Sequence, residues 1–397
     1  MSVNEVGQKK DCLITVIRTQ KVRLYPNQHM KVVLNQLCDY RRYCWNKALE
    51  TWNDMYDLHT IDSSIPIPNV YSVRNELVFN KMDWQFNLSS RTLQLTIVDL
   101  GIAWKNYFDK SLPDWGKPKF KSKKMSRQGF KTDRAKIVDG KLRLDKPLGV
   151  KQWFDIHISK HVNLNGQLKT VSVYKENGKY WASFPLEVCI KHKLMTGKST
   201  AVDVNVGHFN YTNGLINTLP KGLIKLYERI KIYQKCLARK RVINGGNATK
   251  SNNYIVMRDK LQRDYRKAAN IQHDIIQKFT SNLVAQYDKI VIEDLNIKSM
   301  QMSHVASKGL QRALFGYFRK VLSYKCEWYG KEVILASQIY PSTQRCSKCG
   351  YVKRGNEKLG LQGNLKHHTN HSDYVCYSCG ARIDRDKNAV ANLLDLI

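Results

Sequence analysis

The sequence predicts a multidomain α/β protein, and three observations support that prediction. The chain has 397 residues, which corresponds to two or three domains at about 100–200 residues per domain. Hydrophobic residues make up 42% of the sequence, which excludes a wholly disordered chain. Strand-like and helix-like patterns alternate along the C-terminal half, as expected of α/β folds.

The residue pattern of the N-terminal half predicts strands that are interrupted by a long helical segment. Residues 12–25 alternate loosely, are rich in Ile, Val and Thr, and end at Pro26, which predicts one or two strands. Apolar residues at helical spacing predict a helix over 28–56 and a second helical region over 71–110.

Short strands are expected again over residues 134–190, with turns at Asp139-Gly140 and Asn177-Gly178. The N-terminal strand is expected to join this β unit, so that the helical segment is an insertion. The predicted domains are a β domain of residues 1–27 and 111–195, a helical domain of residues 28–110, and an α/β domain of residues 196–397.

The C-terminal half predicts strands and helices in alternation. A strand contains AVDVNVG, a second lies near 208–212, and a short third follows Asn213-Gly214. The later elements are predicted as helices at 220–243 and 251–283, a strand at 289–295, a helix near 308–329, a strand near 333–337 and a last helix from about 387.

The net charge indicates a polyanionic partner. Lys and Arg number 66 against 33 Asp and Glu, which gives a formal net charge of +33. Such an excess opposes compaction unless a polyanion shares the structure, and nucleic acid is the first candidate. A membrane is not expected as a partner, because no apolar run approaches about 20 residues. We therefore expect a cytoplasmic, nucleic-acid-binding protein without a signal peptide.

Four cysteines near the C-terminus predict a structural zinc site. Cys346 and Cys349 form one CxxC-Gly pair, Cys376 and Cys379 form another, and 26 residues separate the pairs. Four thiolates complete a tetrahedron around Zn²⁺ and leave no position for water. A histidine of the connecting loop is a less favoured alternative ligand; the candidates are His367, His368 and His371.

Three acids from distant segments form a candidate catalytic metal site. Asp203 and Glu293 lie at the ends of apolar strands, and Asp386 lies at the start of a helix. Carboxylates at such positions are costly to desolvate without a cation. Three of them can hold a pair of Mg²⁺ ions for phosphodiester hydrolysis. Considered singly, each acid could also be an ordinary acid at a strand end or helix N-terminus.

Two basic segments are candidate nucleic-acid contacts. Seven Lys or Arg and no acid lie between Lys117 and Lys131, with Phe120 and Phe130 among them. These phenylalanines could stack on bases or anchor the segment to a core. The segment from Lys221 to Lys267 contains fourteen basic residues and only three acids. The candidate phosphate contacts are Lys117, Lys119, Lys121, Lys123, Lys124 and Arg127 in the first segment, and Lys235, Arg239, Lys240 and Arg241 in the second.

The order of these motifs resembles the TnpB family of transposon-encoded, RNA-guided DNA nucleases. The motifs are AVDVNVG, long helices, KIVIEDL, STQRCSKCG, CYSCG and DRDKNAVAN, over roughly residues 198–397. A weaker likeness extends to KVRLYPN, to Asn46 in the following helix and to GKPKFKSKK. Compact type V CRISPR effectors share the same nuclease half.

The resemblance implies a fold and an activity. It implies an RNase H-like (RuvC) nuclease domain with an inserted zinc ribbon at about 340–383, and an N-terminal β-barrel-like wedge domain carrying a helical recognition insertion. It implies an Mg²⁺-dependent endonuclease that pairs a guide RNA with double-stranded DNA beside a short flanking motif.

The resemblance also assigns roles to residues. It makes Asp203, Glu293 and Asp386 the catalytic acids and the four cysteines the zinc ligands. Asp386 is preferred to Asp384 because the family's ligand lies two residues before the Asn, here Asn388. Asp384 and Asn388 are then candidate positioning residues.

One departure from the family concerns the first acidic motif. Asn205 occupies the position where the family usually has Gly. This departure supports a second hypothesis, a nuclease-inactive RNA-guided DNA-binding repressor, although all three acids are present. A compact CRISPR effector with the same chemistry is a third.

Overall fold

The structure is a computed structural model in which the chain divides into two compact units. One unit contains Thr15–Cys189, and the other contains Ile190–Ile397 together with Ile14. Each unit contains both strands and helices, so the predicted α/β class is confirmed. The described residues are 14–111, 115–125, 127–145, 155–159, 161–163, 165–296, 309, 312–360, 363–364 and 369–397.

An eight-stranded sheet forms the first unit's β region. Its order is β2-β7-β8-β1-β5-β4-β3, and β6 pairs with β8. Both predicted hairpin turns are confirmed, because φ is positive at Asp139 and Gly140 and at Asn177 and Gly178, as two-residue type I′ turns require. The strands are β1 (Ile14–Tyr25), β2 (Arg127–Thr132), β3 (Lys136–Val138), β4 (Lys141–Arg143), β5 (Ile156–Ile158), β6 (Gln167–Leu168), β7 (Val171–Glu176) and β8 (Lys179–Ile190).

Four described helices lie between β1 and β2 in the chain. The first follows Asn27, whose side chain accepts a hydrogen bond from the Met30 N–H at 2.8 Å and so satisfies a free donor of the first turn. This helix continues five residues beyond its predicted end, and the predicted second helical region contains three helices. The helices are α1 (Gln28–Ile61), α2 (Val70–Phe79), α3 (Asp83–Phe86) and α4 (Ser90–Phe108).

Helix α1 contributes to two hydrophobic cores. Its N-terminal half packs against the eight-stranded sheet through residues such as Leu34 and Leu37. Its C-terminal half packs against α2 and α4, where Trp52 stacks on Trp104 with ring centroids 6.1 Å apart. One amphipathic helix thereby joins the sheet to the other helices of the unit.

A five-stranded sheet organises the second unit. Its order is β11-β10-β9-β12-β13, with β9, β12 and β13 mutually parallel and β10 and β11 antiparallel. A short hairpin of β14 and β15 lies near the C-terminus. The strands are β9 (Ser199–Val204), β10 (His208–Tyr211), β11 (Gly214–Asn217), β12 (Lys289–Glu293), β13 (Glu332–Ala336), β14 (Asp373–Val375) and β15 (Arg382–Asp384).

Helices cover both faces of this sheet. The long helices among the described residues of this unit are α5 (Lys221–Asn244), α6 (Asn252–Gln286), α7 (Phe315–Tyr329) and α8 (Arg385–Leu394). Val202 and Ile292 point towards α6 and α7, whereas Ala201 and Val291 pack against Val390 of α8. Since side chains alternate along a strand, Asp203 and Glu293 share the face that α8 covers.

None of the helices in the described residues combines the length and apolar character needed to cross a membrane.

Candidate metal centres and nucleic-acid interface

Asp203 is a buried acid near the end of strand β9. Its residue is 4% exposed, and its Oδ2 accepts a hydrogen bond from the Asn205 side-chain amide at 2.8 Å. Burial, followed by repulsion from Glu293 and Asp386, raises the pKa of Asp203 to about 7. The three predicted acids therefore lie close enough to affect one another electrostatically.

Glu293 lies on the neighbouring parallel strand. Ile292 of β12 pairs with Val202 of β9. Because the strands are parallel, the next residues along them, Glu293 and Asp203, lie side by side. The Oε1 atom of Glu293 accepts a hydrogen bond from the Ser342 hydroxyl at 2.5 Å. Sheet register thus brings together two acids that are 90 positions apart in the sequence.

Asp386 reaches the same region from the first turn of α8. Its Oδ2 lies 3.0 Å from His208 Nε2 and accepts a hydrogen bond from the Asn210 amide at 2.7 Å. Both partners belong to β10, and Asn210 is paired with Asp203 across the strands. Carboxylate oxygens are ligands suited to hard cations such as Mg²⁺, so this set of donors fits divalent-metal chemistry.

The two predicted positioning residues have structural contacts away from these three acids. Asp384 caps α8 by accepting a hydrogen bond from the Lys387 N–H at 2.9 Å. Asn388 is fully buried; it accepts from the Ser347 N–H at 2.9 Å and donates to the Arg345 carbonyl at 2.7 Å. Asn388 therefore ties the helix that carries Asp386 to the first cysteine pair.

The two cysteine pairs form matching knuckles. In the first, the Gly350 N–H donates to the Cys346 carbonyl at 2.9 Å; in the second, the Gly380 N–H donates to the Cys376 carbonyl at 3.1 Å. Both glycines have positive φ, 75° and 70°, a backbone conformation that favours glycine. The CxxC-Gly pattern thus gives each pair the same tight turn.

The four sulfurs converge on one point. Sγ of Cys346 lies 3.8 Å from that of Cys379, and Sγ of Cys349 lies 3.5 Å from that of Cys376. A tetrahedral ion about 2.3 Å from each sulfur would separate the sulfurs by about 3.8 Å. Among the described His, Cys, Asp and Glu side chains, this is the group of three or more whose ligand atoms all lie within 4.8 Å of one another.

The histidine alternative receives no support from the described residues. His371 is exposed and does not belong to the sulfur cluster. His367 and His368 lie outside the described residues.

The first basic segment is attached to α1. Trp45 Nε1 donates to the Lys119 carbonyl at 3.0 Å, and the Asn46 side chain bonds both the N–H and the carbonyl of Lys121. Phe130 is buried in the sheet core, whereas Phe120 is 63% exposed. Of the predicted contacts, Lys121 is half-buried, and the exposed ones are Lys117, Lys119, Lys123, Lys124 and Arg127.

Several cations of this region surround a cavity of about 300 Å³. Lys121 Nζ lies 3.2 Å from the centroid of the Trp45 ring, and burial together with repulsion from Arg41 lowers its pKa to about 7. The cationic lining residues are Arg41, Arg42, Lys121, Arg127 and Lys131. Such a cavity can accept an anionic group.

The second group of predicted contacts lies on α5. Lys235, Arg239 and Arg241 are exposed, and Lys240 is half-buried. Arg241 Nε donates to the Tyr254 hydroxyl at 2.6 Å, which links α5 to α6. These side chains give the helix pair a basic surface.

Comparisons with protein families identify three matching segments. The model described as "Cas12f1-like, TNB domain" matches residues 315–393, which include α7, nearly all of α8 and the four clustered cysteines. "Probable transposase" matches residues 183–304, and "Helix-turn-helix domain" matches residues 16–59. In this chain, the last segment covers most of strand β1 and most of the single helix α1.

Similar proteins extend over almost the whole chain. A Streptomyces pristinaespiralis protein named as an RNA-guided DNA endonuclease is 27% identical over 96% of this chain and 89% of its own. InsQ of Escherichia coli, named in the same way, is 26% identical over 94% and 90%. A chain of the Cas12f1–sgRNA–target DNA complex, solved by cryo-electron microscopy, has a TM-score of 0.52 and 13% identity over 96% of this chain and 98% of that one. The predicted resemblance to the TnpB family is confirmed.

Sequence reasoning did not predict the hydrogen bonds that hold the three acids, although it had singled out Asn205 beside Asp203. His208 and Asn210 lie outside the motifs that the sequence analysis recognised, and Ser342 opens the STQRCSKCG motif without having been assigned a role towards Glu293. The signal for Asn210 was its place on the strand that follows Asp203, but its pairing with that acid required the register of β9 and β10.

Proposed function

We propose that this chain is an RNA-guided DNA endonuclease that cuts target DNA beside a short flanking motif. The names of the relatives that match most of the chain support the class of activity. The observation that carries the proposal is the grouping of Asp203, Glu293 and Asp386 on one face of the five-stranded sheet. The match to the Cas12f1 chain supports the likeness of fold.

The proposed catalytic unit is an RNase H-like nuclease domain of the RuvC type. Three antiparallel strands followed by two parallel ones support this assignment. Asp203, Glu293 and Asp386 would hold two Mg²⁺ ions, which when bound lower the pKa of water and stabilise the leaving oxygen. The protein contributes by bringing the three carboxylates together and by fixing their orientation.

The cysteine centre is proposed to be a structural zinc site in a ribbon at about 340–383. Four sulfur ligands suit Zn²⁺, and a complete tetrahedron leaves no position for a reacting water. This centre would then support the nuclease fold rather than take part in hydrolysis.

The first unit is proposed to contain the wedge and recognition parts. The eight-stranded sheet corresponds to the wedge domain of 1–27 and 111–195, and α1–α4 to the recognition domain of 28–110. The cavity beside Lys121 and the basic surface of α5 are candidate contacts to phosphates of the guide RNA and target DNA. Such contacts give affinity, while base pairing selects the sequence.

The cytoplasmic location stays a prediction.

The test begins with the RNA that accompanies the protein. The protein would be expressed with its native flanking DNA, purified at moderate salt, and the co-purifying RNA sequenced. We expect one discrete RNA from the neighbouring locus, and Mg²⁺-dependent cutting of DNA that matches its guide segment. A discrete RNA without cutting would favour the repressor hypothesis, and only heterogeneous RNA would contradict a guide from that locus.

A compact CRISPR effector is the second candidate, favoured by the Cas12f1-like match over residues 315–393. Its chemistry would be the same, and the source of the guide distinguishes the two. A guide transcribed from a repeat array would identify an effector, whereas a guide from a transposon end would identify a TnpB-type protein.

A further inference from the structure

Two asparagines each hold one oxygen of a candidate metal-binding aspartate. The Asn205 amide donates to Oδ2 of Asp203 at 2.8 Å, and the Asn210 amide donates to Oδ2 of Asp386 at 2.7 Å. Within the described residues, the hydrogen bonds of these aspartate side chains all involve Oδ2 and leave Oδ1 without a protein donor. One oxygen of each carboxylate is thus committed to the protein and the other is available.

The third acid shows the same arrangement. Glu293 accepts from the Ser342 hydroxyl through Oε1, and the described residues provide no donor to Oε2. His208 adds a second contact to Oδ2 of Asp386. The partners come from β10, from the turn after β9 and from the segment after β13, so the pattern does not arise from one local motif.

The neutral charge of the amide donors is significant. A buried acid elsewhere in the same unit, Asp288, is held differently: Lys331 Nζ lies 2.5 Å from its Oδ1. A lysine orients a carboxylate but also compensates its charge, whereas an amide orients it and leaves the full charge for a cation. The amide partners of Asp203 and Asp386 therefore suit carboxylates that bind metal.

We propose that Asn205 and Asn210 are positioning residues that orient Asp203 and Asp386, so that each aspartate presents Oδ1 to a divalent metal ion. The inference rests on the proposed function, because it takes these aspartates as metal ligands. It gives Asn205 a role at the position where the family usually has glycine.

The chain offers variants that separate positioning from folding. Asn205→Gly introduces the residue usual in the family and removes the donor to Asp203. Asn210→Ala removes the donor to Asp386. Asn213→Ala is the matched control, because Asn213 lies in the same hairpin but donates to the Tyr287 hydroxyl at 2.6 Å.

The experiment measures metal binding and cutting separately. Mn²⁺ would be titrated into the full-length, RNA-free protein and followed by electron paramagnetic resonance, with Asp203→Asn as the reference for binding elsewhere. We expect Asn205→Gly and Asn210→Ala to weaken Mn²⁺ binding by about tenfold, the lower end of the range for partners of metal ligands, and Asn213→Ala to leave it unchanged. In the guided protein, the Mg²⁺ concentration for half-maximal cutting should rise similarly, with target binding unaltered.

The outcomes distinguish this inference from the proposed function. Unchanged Mn²⁺ affinity in both asparagine variants would overturn the inference alone, provided that Asp203→Asn weakens binding. Identical titrations of wild type and Asp203→Asn would overturn both the metal site and the inference. A melting temperature that falls without a change in metal affinity would assign the asparagines a purely structural role and would also contradict the proposal.

Discussion

The cysteine centre and the carboxylate centre lie in the same unit but are built in opposite ways. The cysteine centre is formed by two local turns, and its four sulfurs already have the spacing of a metal tetrahedron. The carboxylate centre depends on two strands and one helix, which bring together Asp203, Glu293 and Asp386 from across 184 residues of chain. Local turns suffice for a structural ion, whereas the carboxylates depend on the whole sheet for their grouping.

The electrostatics of the two centres also differ. In the cysteine centre, burial raises the pKa of Cys376, but hydrogen bonds from the N–H groups of Cys379 and Ser378 and from the thiols of Cys349 and Cys379 together lower it to about 7. In the carboxylate centre, burial and like charges raise the pKa of Asp203 to about 7. The backbone thus favours the charged form of Cys376, while Asp203 depends on a cation to favour its charged form.

The largest expected effect is the loss of DNA cutting when the carboxylate centre is altered. Asp203→Asn or Asp386→Asn should reduce the rate of guided cutting by about 10³-fold or more, because each removes a charged metal ligand. Binding of guide RNA and target DNA should persist, as gel-shift assays would measure. Asp384→Asn, at the N-cap of the helix that carries Asp386, is the control and should retain cutting. Inactivity of this variant with activity in Asp386→Asn would reverse the assignment of the two aspartates.

The next effect concerns the cysteine centre. Cys349→Ser should lower the zinc content, measured by atomic absorption, from one ion per chain to nearly none. Because metal binding is coupled to local folding, the melting temperature should fall with it. Cys236→Ser is the matched control, since Cys236 is a free, half-buried cysteine outside the cluster. Full zinc content in Cys349→Ser would contradict a four-sulfur site.

The contrast between the centres explains what could be predicted from the sequence. The cysteine cluster was predictable because the CxxC-Gly spacing alone defines each knuckle. The strands and helices that carry the acids were also predicted, but their spatial grouping required the parallel register of β9 and β12. The donors Asn210 and Ser342 were not predicted, because hydrogen bonds between distant segments leave no periodic pattern in a sequence.

The first unit gives a similar lesson. Both type I′ turns were predictable, since Asn-Gly and Asp-Gly favour positive φ at both positions. Strand β2 was not predicted, because it begins at Arg127 within a segment whose composition is dominated by charge and by turn-forming residues. Phe130 of that strand is buried in the core, so one of the two aromatic residues considered for stacking has a structural role.

The third prediction uses the raised pKa of Asp203. The folded state holds this proton more tightly than the unfolded state, so the metal-free protein should lose stability as pH rises from 3.8 to about 7. Asp203→Asn carries no charge and should melt several degrees above wild type at pH 8, with a smaller difference at pH 5. Added Mg²⁺ at pH 8 should stabilise wild type and not the variant.

A matched aspartate checks that the effect belongs to the buried site. Asp274 lies on α6, is largely exposed and pairs with Lys278. Asp274→Asn should show no such dependence on pH in differential scanning fluorimetry. Equal melting temperatures for wild type and Asp203→Asn at pH 8 would show that the charged carboxylate of Asp203 does not destabilise the folded protein.

The smallest effect tests whether the two centres are independent. Asn388 joins them, because its side chain bonds the first cysteine knuckle while its helix carries Asp386. Asn388→Ala leaves the Ser347 N–H and the Arg345 carbonyl without this partner, which should cost about 1–3 kcal/mol of stability. Asp384→Ala should cost about 1 kcal/mol through loss of the helix cap, without touching the knuckle. If the two centres are coupled, Asn388→Ala should speed the release of zinc to a chromogenic chelator and slow DNA cutting, whereas Asp384→Ala should do neither. Equal rates of zinc release from the two variants would show that α8 supports two separate sites.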